Sequence, residues 1–280
     1  MWKIVGLVVL IGGGHDNLEP TDRLTPSGWV GNPWGPAAYA ARKAGKLPSI
    51  SFTPAMQRWD AWGEKTLRDG DILFRRGDAR ILFGRFPMSR FIANVSGSLF
   101  SHTGVVAFED GRPFVYDTTK SGVRRQPLSV WVLDNVGPIG VKRLKAAHQD
   151  RVPRVLAWVR ATYERQPPFD YDLEPDDDEL YCMEMTEKAF RSAGLTLSEP
   201  VRLGEVENAA QFPICMFAFS TLTKLRLDQP VFFPGNDRHG IWSSPLLLTV
   251  YAPPTAAVVS AGRQPAPSPA GEVKKPVTAQ

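Results

Sequence analysis

A chain of 280 residues that is 43% apolar and 10% aromatic has enough hydrophobic material for a packed core, which excludes an intrinsically disordered protein. The 33 Lys and Arg outweigh the 29 Asp and Glu by only +4, and no dense basic run is interleaved with aromatics, so no nucleic-acid partner is expected. The 2 cysteines, Cys182 and Cys215, cannot form a disulfide framework, and no CxxC or HxxxH spacing supports a metal site.

Met1-Trp2-Lys3 precedes an apolar run, Ile4 to Ile11, and then Gly12-Gly13-Gly14. One lysine before a short apolar run resembles the core of an export signal, and the run is too short to cross a bilayer. Export or peripheral membrane attachment through residues 1–14 is one reading, and a buried strand is the other. Residues 12–50 are rich in Gly and Pro, with Trp29 and Trp34 interspersed, and read as an irregular arm. Residues 1–50 thus form an N-terminal segment ahead of a domain expected over 51–252.

Thr53 as cap and Pro54 at the first position open a helix over Pro54 to Leu67. The turn Arg68-Asp69-Gly70-Asp71 leads into a strand at Ile72-Leu73-Phe74. A long connection, 77–100, carries Phe83, Phe86, Phe91 and Phe100, which read either as core or as a hydrophobic lid. The apolar runs Val105 to Phe108 and Phe114 to Tyr116 flank Asp110-Gly111, a strong hairpin signal because a type I′ turn needs positive φ at both central residues. Val123 to Gln126 and Gly140 to Leu144 are further strand candidates. Val152 to Arg165 has the apolar spacing of an amphipathic helix. Leu180 to Ala193 predicts another, closed by Gly194. Pro213 to Leu227 reads as an apolar helix or a strand pair. From Pro253 to Gln280 the chain is mostly Pro, Ala, Ser and Val, too poor in large apolar groups to offset its ordering entropy, and a disordered tail is expected.

The candidate chemistry lies in Ser101-His102-Thr103-Gly104, in Asp117, and in Cys182 near a helix start. With Asp110-Gly111 as a two-residue loop, Gly104 faces Asp117 and His102 faces Thr119. His102 and Asp117 then share a face as diagonal neighbours, about 7–8 Å apart at Cα. Thr119 is the rival partner for the imidazole. A cysteine at a helix N-terminus sits where the helix dipole favours a thiolate and where free N–H groups receive an oxyanion. The acidic residues Asp176, Asp177, Asp178 and Glu179 oppose that effect unless they face solvent. Asp170-x-Asp172-x-Glu174 resembles the opening of a calcium loop, but the required glycine is missing and a solvated, helix-capping loop is preferred. Cys215, in an apolar run, reads as core.

Several motifs resemble one family. Leu67-Arg68-Asp69-Gly70-Asp71-Ile72-Leu73-Phe74 looks like the xGDIIF opening of the YiiX/YebB-like proteins, a permuted branch of the NlpC-type, papain-like cysteine hydrolases. Ser101-His102-Thr103-Gly104 is similar to their SHxG motif. Phe169-Asp170-Tyr171-Asp172-Leu173 and Tyr181-Cys182-Met183-Glu184-Met185 resemble their YDxxF and YCSEL signatures. The likeness covers roughly residues 64–195. Asp117 stands where the family more often has Glu, and Met183 where a small Ser is common, which narrows the site beside Cys182.

The resemblance implies an α+β, circularly permuted papain-like fold: an antiparallel sheet packed against helices, with His preceding Cys along the chain. It implies Cys182 as nucleophile, His102 as base and Asp117 as the third polar residue that orients it. No cofactor or metal is expected. The expected activity is a cysteine hydrolase, amidase or acyltransferase working through a thioester on a peptide, amide or acyl-lipid substrate. The alternative is a binding or structural module on a decayed papain-like fold.

Overall fold

The computed structural model describes residues 21–24, 28–80, 85–174, 178–222 and 225–253. The export-signal reading of residues 1–14, the tail beyond Pro253, Phe83, and Asp176 with Asp177 lie outside the described residues. The arm is not uniformly irregular, as the sequence reading had it. Helix α1 (Pro36–Lys43) forms there, with Pro36 at its first position, where a missing N–H costs nothing. Trp34, just ahead of it, is buried with Met56 and Val130, so this part of the arm packs on the main body.

Helix α2 (Pro54–Thr66) starts as anticipated, with Thr53 Oγ1 accepting from the Met56 N–H at 3.3 Å. The strands that follow are β1 (Ile72–Gly77), β2 (His102–Glu109), β3 (Arg112–Thr119), β4 (Gly122–Pro127), β5 (Asn135–Leu144), β6 (Val201–Arg202), β7 (Pro230–Val231) and β8 (Leu247–Tyr251). Six of them form one sheet in the order β4-β3-β2-β1-β5-β8, with every neighbouring pair antiparallel. β6 and β7 pair separately.

The hairpin of β2 and β3 has the expected register. Asp110 and Gly111 have φ of 50° and 78°, as the type I′ loop requires, and Glu109 pairs with Arg112 and Val105 with Tyr116. Residues 77–100 are not one continuous connection: α3 (Met88–Val95) interrupts them. Four further helices follow among the described residues: α4 (Leu128–Trp131), α5 (Val152–Arg165), α6 (Cys182–Ser192) and α7 (Pro213–Leu222). The last resolves the choice between helix and strand pair, and it leaves Cys215 half-buried, not in the core.

Alternation along the strands divides the sheet into two apolar faces. Ile72, Phe74, Val105, Ala107, Tyr116 and Val123 pack with Val155, Val159, Met185, Ala189 and Phe190 of α5 and α6. Leu73, Val106, Val115 and Val141 pack on the other side with Leu67, Leu128 and Trp131, backed by Trp59 and Trp62 of α2. Each of these large side chains contributes about 1.5–3 kcal/mol on burial, which makes the sheet a rigid platform. Phe100 stacks on Phe74 and Trp242 inside the core, so it is no part of a lid. Phe91 packs on Phe86 and on Phe212.

Candidate active site

The sheet carries His102 as the first residue of β2 and Asp117 near the end of β3. Their diagonal placement closes a hydrogen bond of 2.6 Å between His102 Nε2 and Asp117 Oδ2. Thr119, the rival partner, instead accepts from the Ser121 N–H at 3.3 Å. Gly104, two residues after His102 on β2, stands opposite Asp117 of β3. A Cβ there would sit 2.6 Å from Val115 Cγ1 and 3.4 Å from Asp117 Cβ, so the missing side chain lets β3 bring its residues close.

Cys182 is the first residue of α6, after Tyr181 as N-cap. The approach to this helix is braced. Asp170 Oδ1 accepts from the N–H groups of Asp172 and Leu173, and the Leu180 N–H donates to Pro168 O at 3.0 Å. Tyr181 Oη accepts from the Phe232 N–H at 2.6 Å, and Glu184, buried in the first turn, accepts weakly from the Tyr181 N–H and pairs with Lys188. Glu174 pairs with Arg226, and Asp178 is exposed, so those two carboxylates do not crowd the helix tip.

Thr103, next to His102, joins strand to helix. Its Oγ1 donates to Cys182 O at 3.2 Å and lies 2.9 Å from Thr186 Oγ1. The first residues of β2 and α6 are thereby tied at the same margin of the sheet. Cys182 is 8% exposed and His102 9%, so both side chains are almost fully buried. Met183 Sδ lies 3.0 Å from Cys182 Sγ, which fits the expectation that Met183 narrows the site.

Burial pushes the Cys182 thiol up to about 12; the Thr103 amide opposes this and the charge of Asp117 adds to it. The sequence expectation of a resting thiolate therefore gives way to burial, which outweighs the helix dipole. Burial likewise lowers the pKa of His102, with the Asp117 hydrogen bond opposing and the Arg75 charge reinforcing the shift. Burial works against the charge of Asp117 as well, but Arg124 and the His102 hydrogen bond overcome it and hold the carboxyl well below its usual range. The resting site is then a neutral thiol, a neutral imidazole and a carboxylate. Asp117 can only accept, so His102 Nε2 carries the proton and Nδ1 is the basic nitrogen.

Asp117 has more partners than the sequence reading gave it. Arg124 faces it across β3 and β4, with Nε to Oδ1 at 3.0 Å and Nη2 to Oδ2 at 2.7 Å. Trp131 Nε1 donates to Oδ2 at 2.8 Å. Arg75 lies with its guanidinium 4.3 Å over the Trp131 ring and 3.8 Å from Oδ2. Behind these groups, Asp134 pairs with both arginines. An arginine inside the predicted strand 123–126 was the only visible signal for this network; the other members come from distant parts of the chain.

Residues 66–226 match the family described as permuted papain-like amidase enzyme, YaeF/YiiX, C92 family. The uncharacterized protein YiiX of Escherichia coli (strain K12) is 26% identical over 149 residues, which span 52% of this chain and 68% of that one. A crystal structure of YiiX from Escherichia coli O157:H7, described as a metalloprotein, superposes with a TM-score of 0.55 at 21% identity, covering 66% of this chain and 97% of that chain.

Proposed function

The chain belongs to the permuted papain-like amidase family, and from that membership we propose that it cleaves an amide or peptide bond by acyl transfer to Cys182. The observation that carries the reading is the His102–Asp117 pair, bonded at 2.6 Å between β2 and β3, with Thr103 of β2 tied to the first residue of α6. In this reading His102 Nδ1 takes the proton from Cys182 Sγ as the sulfur attacks the substrate carbonyl. The N–H groups at the start of α6 receive the oxyanion. The imidazolium then protonates the departing nitrogen as the C–N bond breaks, leaving a thioester. Water, deprotonated by the same imidazole, attacks that thioester, and the acid departs as the proton returns to sulfur. Asp117 holds the tautomer and the ring orientation throughout.

The O157:H7 relative is described as a metalloprotein. Among the described residues here, no group of three or more His, Cys, Asp or Glu side chains is placed to hold a metal ion. Asp117, the carboxylate beside Cys182 and His102, has both oxygens engaged by N–H donors. These residues do not fit a metal centre.

A second reading, an acyl-lipid substrate with transfer to an acceptor other than water, draws support from α7. Among its described side chains, Ile214 is 83% and Phe217 69% exposed, and the helix carries no charged residue. No helix among the described residues is long and apolar enough to cross a membrane.

The test is alkylation by iodoacetamide near neutral pH, followed by peptide mass spectrometry, with a search for an acyl adduct on Cys182. Cys182 should label faster in the parent than in His102→Ala, and in a separate, unalkylated sample incubated with cell lysate Cys182 should gain the mass of an acyl group. Equal labelling of Cys182 and Cys215, insensitive to His102, would leave a non-catalytic module on a papain-like fold.

A further inference from the structure

Asp117 belongs to a buried charge cluster whose other members, Arg75, Arg124 and Asp134, the acyl-transfer chemistry does not itself use. The side chains of Arg75, Asp117, Arg124 and Asp134 are all at most 1% exposed. They carry two positive and two negative charges, so the set is neutral as a unit. Removing one member of such a set leaves an uncompensated buried charge.

Asp134 pairs with the two arginines, and it is held from outside the matched stretch. Thr21 donates to it twice, from its backbone N–H to Oδ1 at 3.0 Å and from Oγ1 to Oδ2 at 2.9 Å. The same Oγ1 accepts from Arg124 Nη1 at 3.1 Å. Arg124 Nη1 also reaches Asp134 Oδ2 at 3.2 Å, and Arg75 Nη2 reaches it at 3.3 Å. Thr21 is itself anchored, since its carbonyl accepts from Trp34 Nε1 at 3.0 Å. The family match begins at residue 66, so this contact belongs to the arm that precedes it.

We propose that Asp134, held in place by Thr21 of the N-terminal arm, is a positioning residue for the His102–Asp117 pair and acts through Arg75 and Arg124. Two effects follow from the geometry. Mechanically, Asp134 fixes the two guanidiniums that set the position of Asp117. Electrostatically, its charge offsets theirs, so that the arginines do not drive the proton off His102 more strongly than they already do. The charged groups that act on His102 are Asp117 from β3, Arg75 from β1 and Arg124 from β4; Asp134, in the turn after α4, pairs with both of those arginines. Neutralising Asp134 alone therefore makes the surroundings of the imidazole more positive.

The consequence for catalysis rests on the proposed acyl-transfer reading, but the effect on His102 does not. The measurement is an NMR titration of the His102 ring in the full chain, carried out in Cys182→Ala so that no turnover contributes. Asp134→Asn should lower the His102 midpoint by about one pH unit. A purely structural role would change the melting temperature and leave that midpoint in place. Thr21→Val changes no charge, and in the Cys182-containing protein it should cut the rate of Cys182 alkylation several-fold while the fold stays intact. If Asp134→Asn does not fold, Thr21→Val carries the test alone. An unmoved His102 midpoint in folded Asp134→Asn, or unchanged alkylation in Thr21→Val, overturns the proposal. A shifted midpoint in a protein whose parent Cys182 never labels faster than Cys215 upholds the network and retires the acyl-transfer reading.

Discussion

Arg124 and Asp117 stand directly opposite each other on β3 and β4, and the guanidinium holds both carboxylate oxygens. A buried carboxylate is stable only with such a partner, and Trp131 and His102 complete its acceptor capacity. Arg124→Met should therefore destabilise the protein by roughly 3–5 kcal/mol, the cost of stranding a buried charge. Urea unfolding at pH 7 measures it. A loss below about 1 kcal/mol would mean that Arg75, 3.8 Å away, is enough to keep Asp117 ionised.

The fold and the central pair were legible in the sequence because their signals are local. Asp110-Gly111 sets the register of β2 and β3, and that count alone places His102 diagonal to Asp117. Helix α5 matches the predicted Val152–Arg165 because its apolar spacing is regular and Pro153 suits its first turn. The contacts among Arg75, Trp131, Asp134 and Thr21 were not legible, because they join residues up to 113 positions apart and no periodicity encodes a long-range polar cluster. α3 was missed because Pro87 caps it without a side-chain hydrogen bond and its eight residues are too few to show a clear period. The protonation state of Cys182 was left open for a related reason. A helix start is visible in sequence, but the depth of burial that outweighs its dipole is a property of the assembled core.

Glu184 gives the stability a pH dependence of opposite sign to that of His102. Burial pushes the Glu184 carboxyl up to about 7, with Lys188 opposing. A folded-state value above the unfolded one means a contribution fully present below about 4.5 and lost as pH rises through about 7. His102 has its folded-state value lowered, so its contribution is present above about 6.5 and is lost as pH falls. Chemical unfolding at pH 5.5 and pH 8 separates the two. Glu184→Gln should remove a loss on the order of 2 kcal/mol between those pH values and leave the acid-side decline in place. An identical pH profile in Glu184→Gln would show that Lys188 keeps the carboxylate ionised throughout.

Gly104 links the packing of the sheet to the geometry of the site. A Cβ at this position would meet Val115 Cγ1 at 2.6 Å, closer than real Cβ contacts come, and Tyr116 O at 3.2 Å. Val115 is fully buried against Leu73, Val106 and Trp131, so it has no room to yield. Relief must come from separating β2 and β3, and that motion carries Asp117 away from His102. Gly104→Ala should cost about 1–3 kcal/mol by overpacking and should slow Cys182 alkylation by more than its stability loss explains. Val115→Ala removes the clashing methyl group. In the double variant the alkylation rate should recover more fully than the stability, because the new cavity still costs energy after the strands have closed. A stable Gly104→Ala with the parent alkylation rate would mean that β3 tolerates the shift, and that the His102–Asp117 contact does not depend on the glycine.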